Sequence, residues 1–113
     1  MSKVEDKVCT EFEWHSHGDK VDLLFRNELL SRANEGFKKY GLSLERTDLT
    51  KPEWFQHLKE ELLDACNYAT RLEMYEELTF HEKDILETLK RDLFHSLESI
   101  YENNLSEFEM SKL

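Results

Sequence analysis

The sequence predicts an all-α protein: a helical bundle of three long helices, completed by dimerisation. The chain of 113 residues contains one Pro and three Gly, which leaves little turn chemistry for a many-stranded sheet. Apolar residues recur at the spacing of amphipathic helices along most of the chain. Two Thr-x-x-Glu motifs have the pattern of capping boxes. Helices of this length with broad apolar stripes bury more surface when they self-associate.

Residues 1–18 are polar and weakly patterned, and we expect a flexible N-terminal arm there. This arm contains the sequence EWHSH, in which Glu13, His15 and His17 lie close to Asp19. Two histidines with a nearby carboxylate could bind a transition metal. Solvated histidines are the more common explanation for such a pattern at a surface.

A first helix is predicted from Asp19 or Lys20 to Tyr40. Gly41 is a favourable residue for ending it, because glycine adopts the left-handed conformation of a helix C-terminus easily. We expect Gly36, inside the helix, to mark a close approach to a neighbouring element. The apolar residues of this helix repeat every four positions: Val21, Phe25, Leu29, Ala33 and Phe37.

The second helix is predicted to begin at the capping box of Thr50 and Glu53, after a connector that includes residues 42–49. Pro52 suits the first turn, where its missing N–H costs no hydrogen bond. We expect the helix to end near Glu76. Its core face is predicted to contain eight residues: Trp54, Phe55, Leu58, Leu62, Ala65, Cys66, Ala69 and Leu72.

A third helix is predicted from the capping box of Thr79 and Glu82 to about Asn103. Residues 19–104 would thus form the all-α domain. Residues 105–113 would form a C-terminal extension, either a short helix or a frayed end. The apolar stripe of the third helix consists of Ile85, Leu86, Leu89, Leu93, Leu97 and Ile100, widened by Phe94 and Tyr101.

The formal net charge of −10 argues against direct binding of a nucleic-acid backbone, which needs clustered Lys and Arg. It is compatible with divalent cations, a basic protein partner, or solubility alone. There is no apolar run of the ~18 residues that a membrane span needs, and no secretion signal is evident. Cys9 and Cys66 form no CxxC motif. We therefore expect a soluble cytoplasmic protein in a reducing compartment.

The stretch HLKEELLDACNYATRLE in the second helix carries the main functional candidates. An acidic stripe on a helix is most often a solvated face. Alternatively, three carboxylates within little more than one turn could form a Mg²⁺ site, because Mg²⁺ prefers carboxylate oxygens. Seven residues share one side of a wheel drawn at about 100° per residue, roughly opposite the core face: His57, Glu60, Glu61, Asp64, Asn67, Tyr68 and Arg71.

A longer run, FKKYGLSLERTDLTKPEWFQHLKEELLDACNYATRLE, resembles the MazG-type all-α NTP pyrophosphohydrolase superfamily, and in particular its small members common in phage genomes. The shared features are a Lys-Tyr-Gly turn, an Arg-x-Asp connector, a Trp, and a His before an acidic pair and ExxD. The resemblance covers about residues 24–75. It implies an all-α dimer or tetramer and Mg²⁺-dependent hydrolysis of a nucleoside triphosphate to the monophosphate and pyrophosphate.

The same resemblance implies roles for individual residues. Glu61 and Asp64 match the ExxD pair, and Glu60 completes the acidic cluster, so these three are the implied catalytic and Mg²⁺-binding residues. Asn67 and Tyr68 lie about one turn further on and are candidate substrate contacts. Lys38, Lys39 and Arg46 flank the resembling turn and could contact phosphates, although solvated cations at a helix end are an equally good explanation.

The sequence departs from the family pattern in its second acidic motif. The family usually has EExxE on the preceding helix, whereas that helix here reads RNELLSRANEG and offers only Glu28 and Glu35 as further metal ligands. Alternatively, Glu60, Glu61 and Asp64 are the counterpart of EExxE, and the segment EKDILETLKRD of the third helix would have to supply the other carboxylates.

Two functions therefore stay open. The first is a Mg²⁺-dependent nucleoside triphosphate pyrophosphohydrolase-like protein. The second is a catalytically inactive acidic helical protein that binds a nucleotide or a basic protein partner. A mimic of DNA charge is a weaker third option, because most acids have basic residues nearby on the same helix. The sequence does not define the base or sugar of a substrate.

Overall fold

A computed structural model describes residues 3–15, 18–41 and 44–104. These residues contain helices and no strand, so the predicted all-α class is confirmed. The described part of the chain forms four helices: α1 (Lys3–His15), α2 (Asp19–Tyr40), α3 (Lys51–Glu73) and α4 (Phe80–Asn104). They divide into two compact units, with α1 packed on α2 in residues 1–49 and α3 packed on α4 in residues 50–113.

Helix α1 lies where the sequence predicts a flexible arm, so the prediction of three helices misses one. Glu5 and Cys9 are buried in this helix, and the ring of Phe12 stacks on the ring of Phe25 in α2. The two ring centroids are 3.9 Å apart and the planes differ by 8°. The inward positions follow helical spacing at i, i+4 and i+7. A search for apolar periodicity overlooks them because one of the three is a glutamate.

Helix α2 ends at the predicted glycine. Gly41 has a φ of 71°, in the left-handed region, and its N–H donates to the carbonyl of Phe37 at 2.7 Å. The expectation of a close approach at Gly36 is wrong for the described residues, because a Cβ added there would meet none of their heavy atoms within 4 Å apart from the backbone of its own helix. On the exposed side of the first unit, Arg26 pairs with Glu13 of α1, with 3.2 Å between Nη2 and Oε1.

Helix α3 begins at the predicted capping box. The Thr50 N–H donates to Oε1 of Glu53 at 3.0 Å, and the Glu53 N–H donates to Oγ1 of Thr50 at 3.3 Å. The helix ends at Glu73 rather than near Glu76. Its last turn is tightened by two i to i−3 bonds: the N–H of Met74 donates to the carbonyl of Arg71 at 3.3 Å, and the N–H of Tyr75 donates to the carbonyl of Leu72 at 3.2 Å.

Helix α4 begins at the second predicted capping box. The Thr79 N–H donates to Oε1 of Glu82 at 2.9 Å, and the Glu82 N–H donates to Oγ1 of Thr79 at 3.0 Å. The short link from α3 ends at this box. No helix in the described part of the chain combines the length and apolar composition needed to cross a membrane.

Helices α3 and α4 run antiparallel. Near the link, Lys90 Nζ lies 3.2 Å from Oε1 of Glu73, and at the far end Lys59 Nζ lies 5.8 Å from the ring centroid of Tyr101. The line of contact is apolar on both helices. Its buried residues are Ala69 of α3 and Leu86, Leu93 and Leu97 of α4.

Candidate functional site

The acidic residues singled out from the sequence lie on the side of α3 that faces away from α4. Glu60, Glu61 and Asp64 are exposed, whereas Ala69 on the opposite side is buried. This is the orientation that the helical wheel predicts. We call Glu60, Glu61 and Asp64 together the acidic face of α3.

Two of these carboxylates are available to a ligand. Oε1 of Glu60 accepts a hydrogen bond from Nε2 of Gln56 at 3.0 Å, which holds this side chain along the helix. Within the described residues, no hydrogen bond or ion pair involves the carboxylate of Glu61 or of Asp64. Residues three apart on a helix are surface neighbours, so both carboxylates can turn toward the same point in solvent.

The acidic face fits one mode of Mg²⁺ binding and not another. Across the described ranges, no group of three or more His, Cys, Asp and Glu side chains could hold a metal ion, so there is no protein-enclosed cage. Mg²⁺ usually keeps several waters and binds through one or two carboxylates together with substrate phosphates. Glu61 and Asp64 fit this more open mode.

Asn67 and Tyr68 lie next to the acidic face, three and four residues beyond Asp64 on the same side of α3. Both are exposed, and the side chain of Tyr68 is well over half accessible. An amide and a phenol placed here could donate hydrogen bonds to a ligand held by the carboxylates.

The remaining candidate carboxylates lie on α2 in the first unit. Glu28 and Glu35 are both exposed. They are separated by seven residues, or about 10 Å of helix rise. This separation is too large for the two carboxylates to share one ion by themselves. EExxE would instead place acids at adjacent turns.

The candidate phosphate contacts also lie in the first unit. Lys38 is exposed at the end of α2, and the side chain of Lys39 lies outside the described part of the structure. Arg46 binds Asp48 with two hydrogen bonds, one of them joining Nε and Oδ1 at 2.6 Å and the other joining Nη2 and Oδ2. This guanidinium holds the pKa of Asp48 below its usual value. A phosphate would therefore compete with Asp48 for Arg46.

Sequence reasoning missed an apolar depression on the α3–α4 pair. It has a volume of about 450 Å³ and shares the lining residues Phe94 and Glu98 with a second depression of about 480 Å³. The signal for it in the sequence was the width of the α4 stripe, which Phe94 and Tyr101 extend beyond what one neighbouring helix covers. The lining of the first depression consists of Leu63, Cys66, Phe94, Leu97, Glu98, Tyr101 and Glu102.

Comparisons of this protein with protein-family models, curated proteins and solved structures found no significant match. The resemblance to the MazG-type superfamily therefore rests on the motif residues of α3 and its flanks.

Proposed function

We propose that the acidic face of α3 binds Mg²⁺ together with the phosphates of a nucleoside triphosphate. The protein would then be a Mg²⁺-dependent pyrophosphohydrolase-like protein that converts (d)NTP to (d)NMP and pyrophosphate. The observation that carries this proposal is the pair Glu61 and Asp64. Their carboxylates are neighbours on an exposed helix side and make no hydrogen bond or ion pair within the described ranges.

In this proposal each side chain has a distinct task. Glu61 and Asp64 hold the ion, which when bound neutralises phosphate charge and makes water more acidic. Glu60, oriented by Gln56, accepts a proton from the attacking water. Asn67 and Tyr68 donate hydrogen bonds to the substrate, and the exposed ring of Tyr68 offers an apolar surface for a base.

The test measures pyrophosphate release from a mixture of NTPs and dNTPs at millimolar Mg²⁺, with the thermal unfolding midpoint recorded in parallel. We expect release by the wild type and a Mg²⁺-dependent rise of its midpoint in the presence of nucleotide. The double variant Glu61→Gln/Asp64→Asn should lose both effects. Its matched control is Glu76→Gln/Glu77→Gln, which removes two exposed acids from the link between α3 and α4. Absence of both effects in the wild type would refute the proposal.

The second candidate function is binding without catalysis. It is favoured by the lack, in the described part of the chain, of a group of three or more side chains that could hold a metal, and by the net charge of −10. A catalytically inactive acidic protein would bind a nucleotide without turnover, or would bind a basic protein partner. Partner binding that is unchanged in Glu61→Gln/Asp64→Asn would support this second function over the first.

A further inference from the structure

We propose that the apolar depression on the α3–α4 pair is a docking groove for a basic amphipathic helix of another protein. We call the residues lining the two adjoining depressions the α4 groove; its floor contains Leu63, Cys66, Phe94, Leu97 and Tyr101. The proposal deepens the second candidate function by naming the surface and the chemistry of the partner. It does not require metal binding at the acidic face of α3.

Among the described residues of the α3–α4 unit, the floor of the α4 groove is an apolar surface open to solvent. Phe94 is 53 % exposed, and Leu63 and Tyr101 beside it are also exposed. Cys66 and the buried Leu97 continue the floor beneath them. Contiguous apolar patches of this kind mark interaction sites more often than isolated exposed residues do. Covering them is favourable, because it removes apolar surface from water.

The dimensions of the groove suit a helix. The apolar floor on α4 runs from Phe94 to Tyr101, about 10 Å of helix at 1.5 Å per residue. Charged lining residues extend the groove from Glu87 to Glu102, about 22 Å in all. A partner helix of about 14 residues has the same length. Two adjacent helices offer a furrow between their side-chain ridges, and an amphipathic helix fills it with residues at i, i+3, i+4 and i+7.

The rim of the groove is acidic. Glu87, Glu98 and Glu102 line it on α4. Two lysines lie over rings of the floor, Lys59 over Tyr101 and Lys90 over Phe94, and Lys90 also pairs with Glu73. Arg91 and His95 also line the rim. With four glutamates (Glu73, Glu87, Glu98 and Glu102) against Lys90 and Arg91, the carboxylates remain in excess.

The excess of carboxylates at the rim favours a positively charged binding partner. A second copy that docked through the same groove would bring its own rim carboxylates toward these acids, which is unfavourable. A helix with Leu or Phe on one side and Lys or Arg along its flanks complements both the floor and the rim. Rim charges mainly raise the association rate and make binding sensitive to salt.

The test uses a fluorescein-labelled 14-residue peptide with leucines at helical spacing and lysines at the other positions, added to the full chain in the presence of EDTA. Fluorescence anisotropy should give a Kd on the order of micromolar at low salt. One control peptide keeps the leucines and replaces every lysine with glutamate. The other keeps the composition and scatters the leucines. Equal binding of the lysine peptide and the scattered peptide would overturn the proposal, as would no binding of the lysine peptide.

Matched variants locate the site. Phe94→Ala should weaken binding roughly tenfold, and Leu63→Gln should weaken it as well. Tyr75→Ala removes an aromatic ring that is 56 % exposed but lies outside the groove, and it should leave the Kd unchanged. Circular dichroism shows whether each variant stays folded. Equal Kd values for Phe94→Ala, Leu63→Gln and the wild type would show that the peptide does not bind in the α4 groove.

Charge variants distinguish the effect of the rim carboxylates on binding from the effect of the protein's net charge. Glu98→Gln/Glu102→Gln should weaken binding several-fold and reduce its salt dependence, whereas Glu76→Gln/Glu77→Gln should change neither. Equal weakening by both doubles would show that only net charge matters. If groove variants change sedimentation of the chain and leave peptide binding intact, a second copy is the occupant and the proposal is wrong. Because EDTA removes Mg²⁺, these results are independent of those on pyrophosphate release.

Discussion

At the scale of single residues, the two glycines of α2 have opposite roles. Gly36 faces open space in the helix, whereas Gly41 has the left-handed backbone conformation. We expect Gly36→Ala to raise the free energy of unfolding by about 0.5–1 kcal/mol, because alanine loses less backbone entropy on folding. Gly41→Ala should lower it by about 1 kcal/mol, because a Cβ is strained at positive φ. Urea unfolding followed by circular dichroism measures both changes, and a destabilising Gly36→Ala would reveal a contact at that position.

A second residue-scale prediction concerns pH. Hydrogen bonds from the backbone and side chain of Thr79 hold the pKa of Glu82 below its ordinary value of 4.5, and His81 lowers it further. The stabilisation by this carboxylate is therefore complete above about 4.5 and is lost as pH falls through the lower pKa of the folded state.

Glu82→Gln should accordingly lower the melting temperature near neutral pH, and the difference from the wild type should shrink as the solution is acidified. Melting curves across a pH series measure this difference. Glu77→Gln, in the link before α4, is the control and should show no such convergence. A gap between wild type and Glu82→Gln that stays constant at acid pH would contradict the assignment.

At the scale of elements, α1 is attached to α2 by the stacked rings of Phe12 and Phe25 and by the buried residues next to them. Phe12→Ala should destabilise this pair by on the order of 1–2 kcal/mol, because it removes the ring contact and its apolar surface. Faster hydrogen exchange in α1 would register the change. Trp14→Ala, on the same helix, removes a side chain that is 76 % exposed and should leave the exchange rates unaltered.

The elements that the sequence predicts well are those determined locally. Thr50 with Glu53 and Thr79 with Glu82 define helix starts through contacts three residues apart, and both are present in the structure. Helix α1 was missed because its inward face includes Glu5, a residue type that is seldom buried.

In the candidate site, too, only the features that depend on a single helix were predictable from the sequence. Helical periodicity predicts that Glu61 and Asp64 share an exposed side, because that depends on α3 alone. Whether further carboxylates join them depends on which helices pack nearby. Helical periodicity within one segment does not predict that packing. The α4 groove was missed for the same reason, since the exposure of Phe94 depends on how much of α4 is covered by α3.

At the scale of the whole molecule, the α3–α4 pair carries a second set of open apolar residues. Leu58 and Leu72 of α3 lie on the other side of that helix from Leu63. All four members of the set are exposed: Leu58, Leu72, Ile85 and Leu89. We propose that self-association covers them, as the sequence predicts for helices with broad apolar stripes. A stable interface of this kind buries about 1,200 Å² or more in total.

The double variant Leu58→Glu/Leu89→Glu should therefore shift the chain from dimer to monomer, because each copy would place charges in an apolar interface. Sedimentation equilibrium at micromolar protein concentrations measures the mass. Leu63→Gln, in the α4 groove, should leave it unchanged. A wild type that sediments as a monomer over this whole range would exclude the proposed association.

Because Cys66 lies in the floor of the α4 groove, its thiol allows that surface to be labelled chemically. The other cysteine, Cys9, is only 2 % exposed, whereas Cys66 is partly accessible. A maleimide dye should therefore attach selectively to Cys66 without any engineering of the chain. The emission of an attached dye would change when a partner binds in the groove. A bulky label on the same native thiol would block binding.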